Sequence, residues 1–225
     1  MQHIHNLLPS KQVARQLAPV GEAGFTIIEL LVSTLVFSVV MLLIAVGVMQ
    51  FNHAYYGGIT QTNTQDTARS ILEQVSQGIQ FSGDQVTSPI ASAGSEQGFC
   101  IGNDRYSFRL GWQLVDSGPI VAQHQMTHVL IKDSPGLCGG MSAQNFNNPL
   151  AAGSTELLSP HMRLSKLSVS QVPGTTNLYN IDVRVVYGDD DLLTNPTASN
   201  AACKLVSGAQ FCAISELSTV VQKRL

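Results

Sequence analysis

Residues Phe25 to Phe51 read FTIIELLVSTLVFSVVMLLIAVGVMQF. Apart from Glu29, a few Ser and Thr, and Gln50, every side chain in this run is apolar or glycine. Its 27 residues (25 through 51) would make a helix of about 40 Å at ~1.5 Å per residue, longer than a hydrocarbon core of ~30 Å. A buried helix of a soluble domain usually runs about 8–20 residues and keeps one polar face. The run is therefore read as a transmembrane helix. From Leu30 through Gln65 no Asp, Glu, Lys or Arg occurs at all.

The averages of the whole chain conceal this segregation. Of 225 residues, 44% are hydrophobic and 12% charged, with a mean hydropathy of +0.14. Typical soluble domains carry about 25% charged residues, and intrinsic disorder needs low hydrophobicity with high net charge. Neither a net charge of −3 nor a pI near 6.0 offers a basic footprint for nucleic acid.

Upstream lie MQHIHNLLPSKQVARQLAPVGEAG, with Lys11 and Arg15 set against Glu22. A secretory signal places a short apolar centre before its small-residue cleavage site. Here the small residues Ala23 and Gly24 precede the apolar run, so a cut there would leave the helix on the mature protein. The positive charges are expected to hold residues 1–24 in the cytoplasm and send the remainder outward.

Gly24-Phe25-Thr26-Ile27-Ile28-Glu29-Leu30-Leu31 resembles the processing motif of bacterial type IV prepilins and type II secretion pseudopilins. The resemblance implies that a prepilin peptidase cuts between Gly24 and Phe25 and N-methylates Phe25. It also implies partners: other major and minor pilins, an inner-membrane assembly platform, and membrane lipid before assembly. Location would be the bacterial inner membrane, then the periplasm or a cell-surface filament. A lone acid within a membrane span is costly, roughly 2.5–3.5 kcal/mol at the helix centre, though Glu29 lies only one turn inside the new terminus. The resemblance gives Glu29 an assembly partner, the positive N-terminal amine of Phe25 on a neighbouring subunit. A helix N-terminal cap favoured by the macrodipole is the plainer role for the same carboxylate. The long leader and the absence of proline from the helix argue against a major pilin, while the size, amphipathic stalk, β-rich head and terminal Phe211–Leu225 segment resemble the larger minor pilins, the PilW-like and J-type pseudopilin group.

Tyr55-Tyr56-Gly57-Gly58 follows the span, aromatics suited to a membrane boundary and a Gly pair permitting a bend. From Thr60 to Phe81, Ala68, Ile71, Leu72, Val75 and Ile79 recur at three- and four-residue spacing, the stripe of an amphipathic helix. Beyond Ser82-Gly83 the period shortens to two. Tyr106, Phe108, Leu110, Trp112 and Leu114 predict one strand, and His128–Ile131 a second. Met162–Val172 and Leu178–Tyr187 flank Pro173-Gly174 and predict a hairpin, while Phe211–Val221 reads equally as strand or short helix. The expected architecture is α+β, pilin-like: a leader (1–24), a membrane helix (25–51) continued by an amphipathic stalk (52–81), and an antiparallel β-rich head (82–225). Connections as long as the Ser-, Gly-, Asn- and Pro-rich ones at 83–98, 132–160 and 188–210 are usually functional or mobile, and the pilin resemblance implies that they carry partner contacts.

Four cysteines on the exported side, Cys100, Cys138, Cys203 and Cys212, favour disulfides. Three connectivities exist; Cys100–Cys138 with Cys203–Cys212 is expected, because the second pair closes a short loop. No C-x-x-C spacing supports zinc. Asp189, Asp190 and Asp191 form a weak calcium candidate without the spacing of an EF-hand, and His124 and His128 would share a metal only on a helix. No cofactor is implied, and no Ser/His/Asp, Cys/His, paired-acid or phosphate-loop arrangement suggests an enzyme.

The expected function is filament initiation or assembly at the tip, within a type IV pilus or a type II secretion pseudopilus. An adhesive or DNA-uptake tip subunit is the rival. Removing Lys11, Arg15, Glu22 and Glu29 from 12 basic and 15 acidic residues leaves 10 and 13 for residues 52–225, which gives DNA no general attraction.

Overall fold

The computed structural model describes residues 24–83, 86–87, 96–115, 124–134, 146, 150 and 152–224. The leader before Gly24 and Cys138 lie outside the described residues, as do most of 83–98 and much of 132–160. The chain divides into two units, Met1–Gly47 and Val48–Leu225.

The first helix, α1, runs from Ile27 to Phe81. Within the first unit its described side chains are all exposed. The few polar ones satisfy themselves: Ser33 Oγ donates to Glu29 O (2.7 Å), Thr34 Oγ1 to Leu31 O (3.0 Å) and Ser38 Oγ to Thr34 O (2.8 Å). A helix closed on its own hydrogen bonds with an apolar exterior is the form a backbone takes in lipid, and α1 is long and apolar enough to cross a membrane.

In the second unit α1 becomes one-sided. Thr60, Thr64, Ala68, Ile71, Val75 and Ile79 are its buried residues, four or three apart, so they form one stripe. Gly57 and Gly58 do not bend the chain; both are helical. A Cβ built on Gly57 would meet Gln210 at 3.9 Å, ordinary van der Waals contact, so this helix face lies beside a later loop. The helix ends at Phe81, where Ser82 N–H bonds Gly78 O at 2.9 Å.

The strands are β1 (Val86–Thr87), β2 (Glu96–Ile101), β3 (Asp104–Arg109), β4 (Gln113–Leu114), β5 (Gln125–Met126), β6 (Leu130–Asp133), β7 (Thr155–Glu156), β8 (Met162–Gln171), β9 (Leu178–Tyr187), β10 (Leu193–Thr194), β11 (Ala202–Cys203) and β12 (Ala213–Gln222). Among the described residues they form one sheet ordered β1-β2-β3-β6-β7, a second ordered β12-β9-β8-β4-β5, and a β10–β11 ribbon. All pairings are antiparallel except β4 with β5. The stripe of α1 joins both sheets in one core with Phe99, Tyr106, Phe108, Leu164, Leu167, Ile181, Val183 and Val185. The molecule is thus α+β, a long N-terminal helix on antiparallel-rich sheets.

The predicted hairpin is β8–β9, paired antiparallel from Met162↔Tyr187 to Gln171↔Tyr179. The ambiguous C-terminal segment is β12, paired along ten residues from Ala213↔Tyr187 to Gln222↔Leu178. One strand expectation needs correction. The single strand 106–114 is two strands in different sheets. Gly111 (φ +77°) turns the chain between them, and Thr197 backbone atoms lie 2.6 Å from where a Cβ would stand; only glycine fits there. In β8 the register shifts between Leu164 and Lys166. This bulge moves the core-facing set from Met162 and Leu164 to Leu167 and Val169, an offset no strict two-residue period contains.

The segment 188–210, expected as loop, is built. It holds 3-10 turns at Asp190–Leu192 and Ala209–Phe211, the β10–β11 ribbon, and the Cys203–Cys212 disulfide (Cα–Cα 5.8 Å). It forms a small core of Val186, Leu193 and Ala201, flanked by Cys203, Cys212 and Ile214.

Candidate functional site

Gly24, Phe25 and Thr26 precede the helix without regular structure, and Phe25 is 79% exposed. Thr26 and Glu29 then form a reciprocal cap. The Thr26 N–H and Oγ1 donate to Glu29 Oε2 at 2.9 and 2.8 Å, and Glu29 N–H donates to Thr26 Oγ1 at 3.3 Å. This is the capping box, Thr at the N-cap and Glu three residues on, which satisfies donors that an α-helix otherwise leaves open. Both accepted bonds land on Oε2, so Oε1 has no partner among the described residues. Phe25, Ile28, Glu29, Val32 and Ser33 outline a recess of about 280 Å³ on this part of the helix.

The other singled-out residues are spread through the head. Cys203 is bonded to Cys212. Cys100, in β2, is disulfide-bonded, and its expected partner Cys138 lies outside the described residues. Two of the three acids of the calcium candidate, Asp189 and Asp190, point to protein donors instead. Asp189 Oδ1 accepts from Gln113 Nε2 at 2.8 Å. Asp190 Oδ1 lies 2.7 Å from Arg163 Nη2, and its Oδ2 is 3.3 Å from His124 Nδ1. No group of three or more His, Cys, Asp or Glu among the described residues is placed to hold a metal.

Sequence reading missed Arg163 and Glu156. Arg163, on β8, is fully buried. Besides Asp190 it donates to the carbonyls of Gly188 (3.0 Å), Pro196 (3.3 Å) and Gly111 (3.4 Å). Arg184 acts similarly one strand over, with Nη2 on Ala201 O at 2.7 Å and Nη1 on Glu216 Oε2 at 2.9 Å. The two guanidiniums pin 188–212 against the sheet. An Arg at an outward strand position reads as solvated; only the disulfide-closed, acid-led segment after β9 hints that something covers it.

Glu156 receives the N–H groups of Val129 (2.8 Å), Leu130 (3.0 Å) and Leu158 (3.1 Å), yet burial still pushes its carboxyl up. His128 lies 3.8 Å away. Burial pushes His128 down from the ordinary histidine value near 6.5, and neither ring nitrogen has a hydrogen-bond partner. A depressed histidine stabilises the fold above its unfolded value, and this contribution is lost as pH falls through the folded value. Glu156 acts oppositely, its contribution present at low pH and lost as pH rises. The variant His128→Phe isolates the histidine, because Glu156 is common to both proteins. Its melting temperature is expected to gain on the native protein progressively below pH ~6.5. A difference that stays constant from pH 7 to pH 5 would refute this.

No family model matches this chain, and no curated protein or solved structure matches it.

Proposed function

We propose that this protein is a minor pilin or pseudopilin: a subunit cut after Gly24, methylated on Phe25, held in the bacterial inner membrane by α1 and then assembled into a type IV or type II secretion filament. There it acts in initiation near the tip, with other pilins and the assembly platform as partners. One observation carries the reading. Two residues after Gly24-Phe25 begins a helix whose run to Phe51 is exposed throughout and carries a single charged residue, Glu29, with one carboxylate oxygen capped and the other without a partner among the described residues. Both members of the cap, Thr26 and Glu29, lie beyond the Gly24–Phe25 bond, so cleavage leaves the helix start intact while creating a cation one turn away. An amine of a neighbouring Phe25 at Oε1 would neutralise the acid inside a low-dielectric bundle, where an unpaired charge is costly.

The direct test is the mass of the mature N-terminus. In cells with a prepilin peptidase the chain is expected to begin at methylated Phe25, and in peptidase-deficient cells at Met1. A Met1 start in both would overturn the reading. A second measurement separates capping from charge pairing. Glu29→Gln keeps the cap, since Gln serves the same box, but removes the anion. Charge-assisted bonds contribute about 1.5–3 kcal/mol, so incorporation into filaments is expected to fall roughly ten- to a hundredfold. Normal incorporation of Glu29→Gln would leave capping as the whole role.

A further inference from the structure

The exposed apolar surface of this chain does not end with the span. Phe51 stacks on Tyr55 (centroids 6.1 Å), Tyr55 meets Tyr56 edge-on (5.8 Å), and Tyr56 meets Phe211 (5.8 Å). Phe211 belongs to the disulfide loop, so a ladder of rings leads from the helix to the segment between Cys203 and Cys212. That loop also shows Leu205, 101% exposed, and Val206, 46% exposed. Its only charged residue is Lys204, whose Nζ is bonded to Asp191 O at 2.8 Å. No acid lies in the loop, and Phe51–Gly58 contains no Asp, Glu, Lys or Arg. The disulfide and the buried Leu193–Ala201 core hold the loop in shape, so Leu205 is displayed rather than left over from a loose coil.

We propose that the Cys203–Cys212 loop is a membrane-docking element that rests in the phospholipid interface while α1 spans the bilayer. Lipid is the occupant because the patch is continuous with the span through the aromatic ladder, is uncharged where it projects, and combines Tyr and Phe with aliphatic side chains as interfacial belts do. The dimensions agree. From Phe51 to Tyr56 is about 7.5 Å of helix rise, and each interfacial zone outside the hydrocarbon is about 5–7.5 Å deep.

The inference rests on the membrane anchorage within the function proposed above, not on cleavage or filament assembly. The probe is tryptophan placed in the full chain, reconstituted into vesicles of zwitterionic and anionic phospholipid. Leu205→Trp and, for comparison, Thr176→Trp at the exposed β8–β9 turn are each made in a Trp112→Phe background, which removes the native indole. Leu205→Trp emission is expected to shift to the blue and to be quenched by lipids brominated near the top of the acyl chains. Thr176→Trp is expected to show neither change. Unquenched, water-like emission from both would overturn the proposal. A blue shift independent of bromine and growing with protein-to-lipid ratio would also overturn it, assigning the loop to a second copy. Flotation of the vesicles after an alkaline wash reads anchorage separately: floating protein with an unquenched Leu205→Trp sinks the docking loop alone, and failure to float sinks both.

Discussion

Arg163→Ala is expected to destabilise the head by about 3 kcal/mol, the lower end of the ~3–5 kcal/mol seen when one partner of a buried ion pair is removed. The lower end applies because Asp190 keeps 34% of its side chain exposed and can rehydrate, whereas Arg163 is fully buried. Most of the loss comes from elsewhere. Truncation leaves the carbonyls of Gly188, Pro196 and Gly111 without this donor and opens a void in the sheet's back face, where side chains otherwise pack at crystal density. Arg163→Met refills the void without the donors and is expected to cost less. Arg163→Lys keeps charge but cannot span three carbonyls and a carboxylate with one ammonium, so it falls between. Urea unfolding gives the ranking, and limited proteolysis gives the place: cleavage is expected first within 188–212, with β8 and β9 still protected. An Arg163→Ala protein with native urea midpoint and no new cleavage there would show that the segment holds itself down.

Ile71→Ala is expected to cost about 2–5 kcal/mol, the usual range for removing a buried aliphatic side chain and leaving a cavity. Ile71 is fully buried, midway along the stripe from Thr60 to Ile79, and both sheets share the core it enters. Neither sheet can collapse toward the gap without shifting the other, which favours the upper part of the range. Leu35→Ala provides the contrast. Leu35 is 66% exposed, so the head's stability in detergent is expected to stay within about 0.5 kcal/mol of the native value. Equal effects from the two substitutions would mean that the helix stripe does not hold the head together.

These two positions also mark what the sequence disclosed. The stripe containing Ile71 was legible because a helix repeats its buried face every three to four residues and nothing interrupts that repeat before Phe81. The β8–β9 hairpin was legible for the same reason at period two, with Pro173-Gly174 marking the turn. A capping role for Glu29 was legible from its place in the first turn, but its partner Thr26 was not singled out and came from the structure. Arg163 was not, because alternation says which residues face away from one core and cannot say that a second layer covers them. The break at Gly111 was hidden too: the apolar residues keep alternating through Leu110 and Trp112, while the cause of the turn, the Thr197 backbone, is 86 positions later (197 − 111). At Ser165 the bulge changes parity midway through an otherwise regular strand, and local pattern carries no sign of it beyond the closer spacing of Leu164 and Leu167.

The stripe on α1 has a consequence in time as well as in space. Its last buried residue, Ile79, is made before any of its β8 and β9 partners, and 83 residues separate Ile79 from Met162 (162 − 79). At about 5–20 residues per second of synthesis, that interval lasts roughly 4–17 s. For those seconds the nascent chain presents a hydrophobic face with only the first sheet's share of its core, such as Phe99, Tyr106 and Phe108, to pack against, and closing the rest requires contacts far apart along the chain, the slow kind. Folding of the head is therefore gated by arrival of the β8–β9 hairpin, and the emerging helix depends on whatever covers it in the meantime.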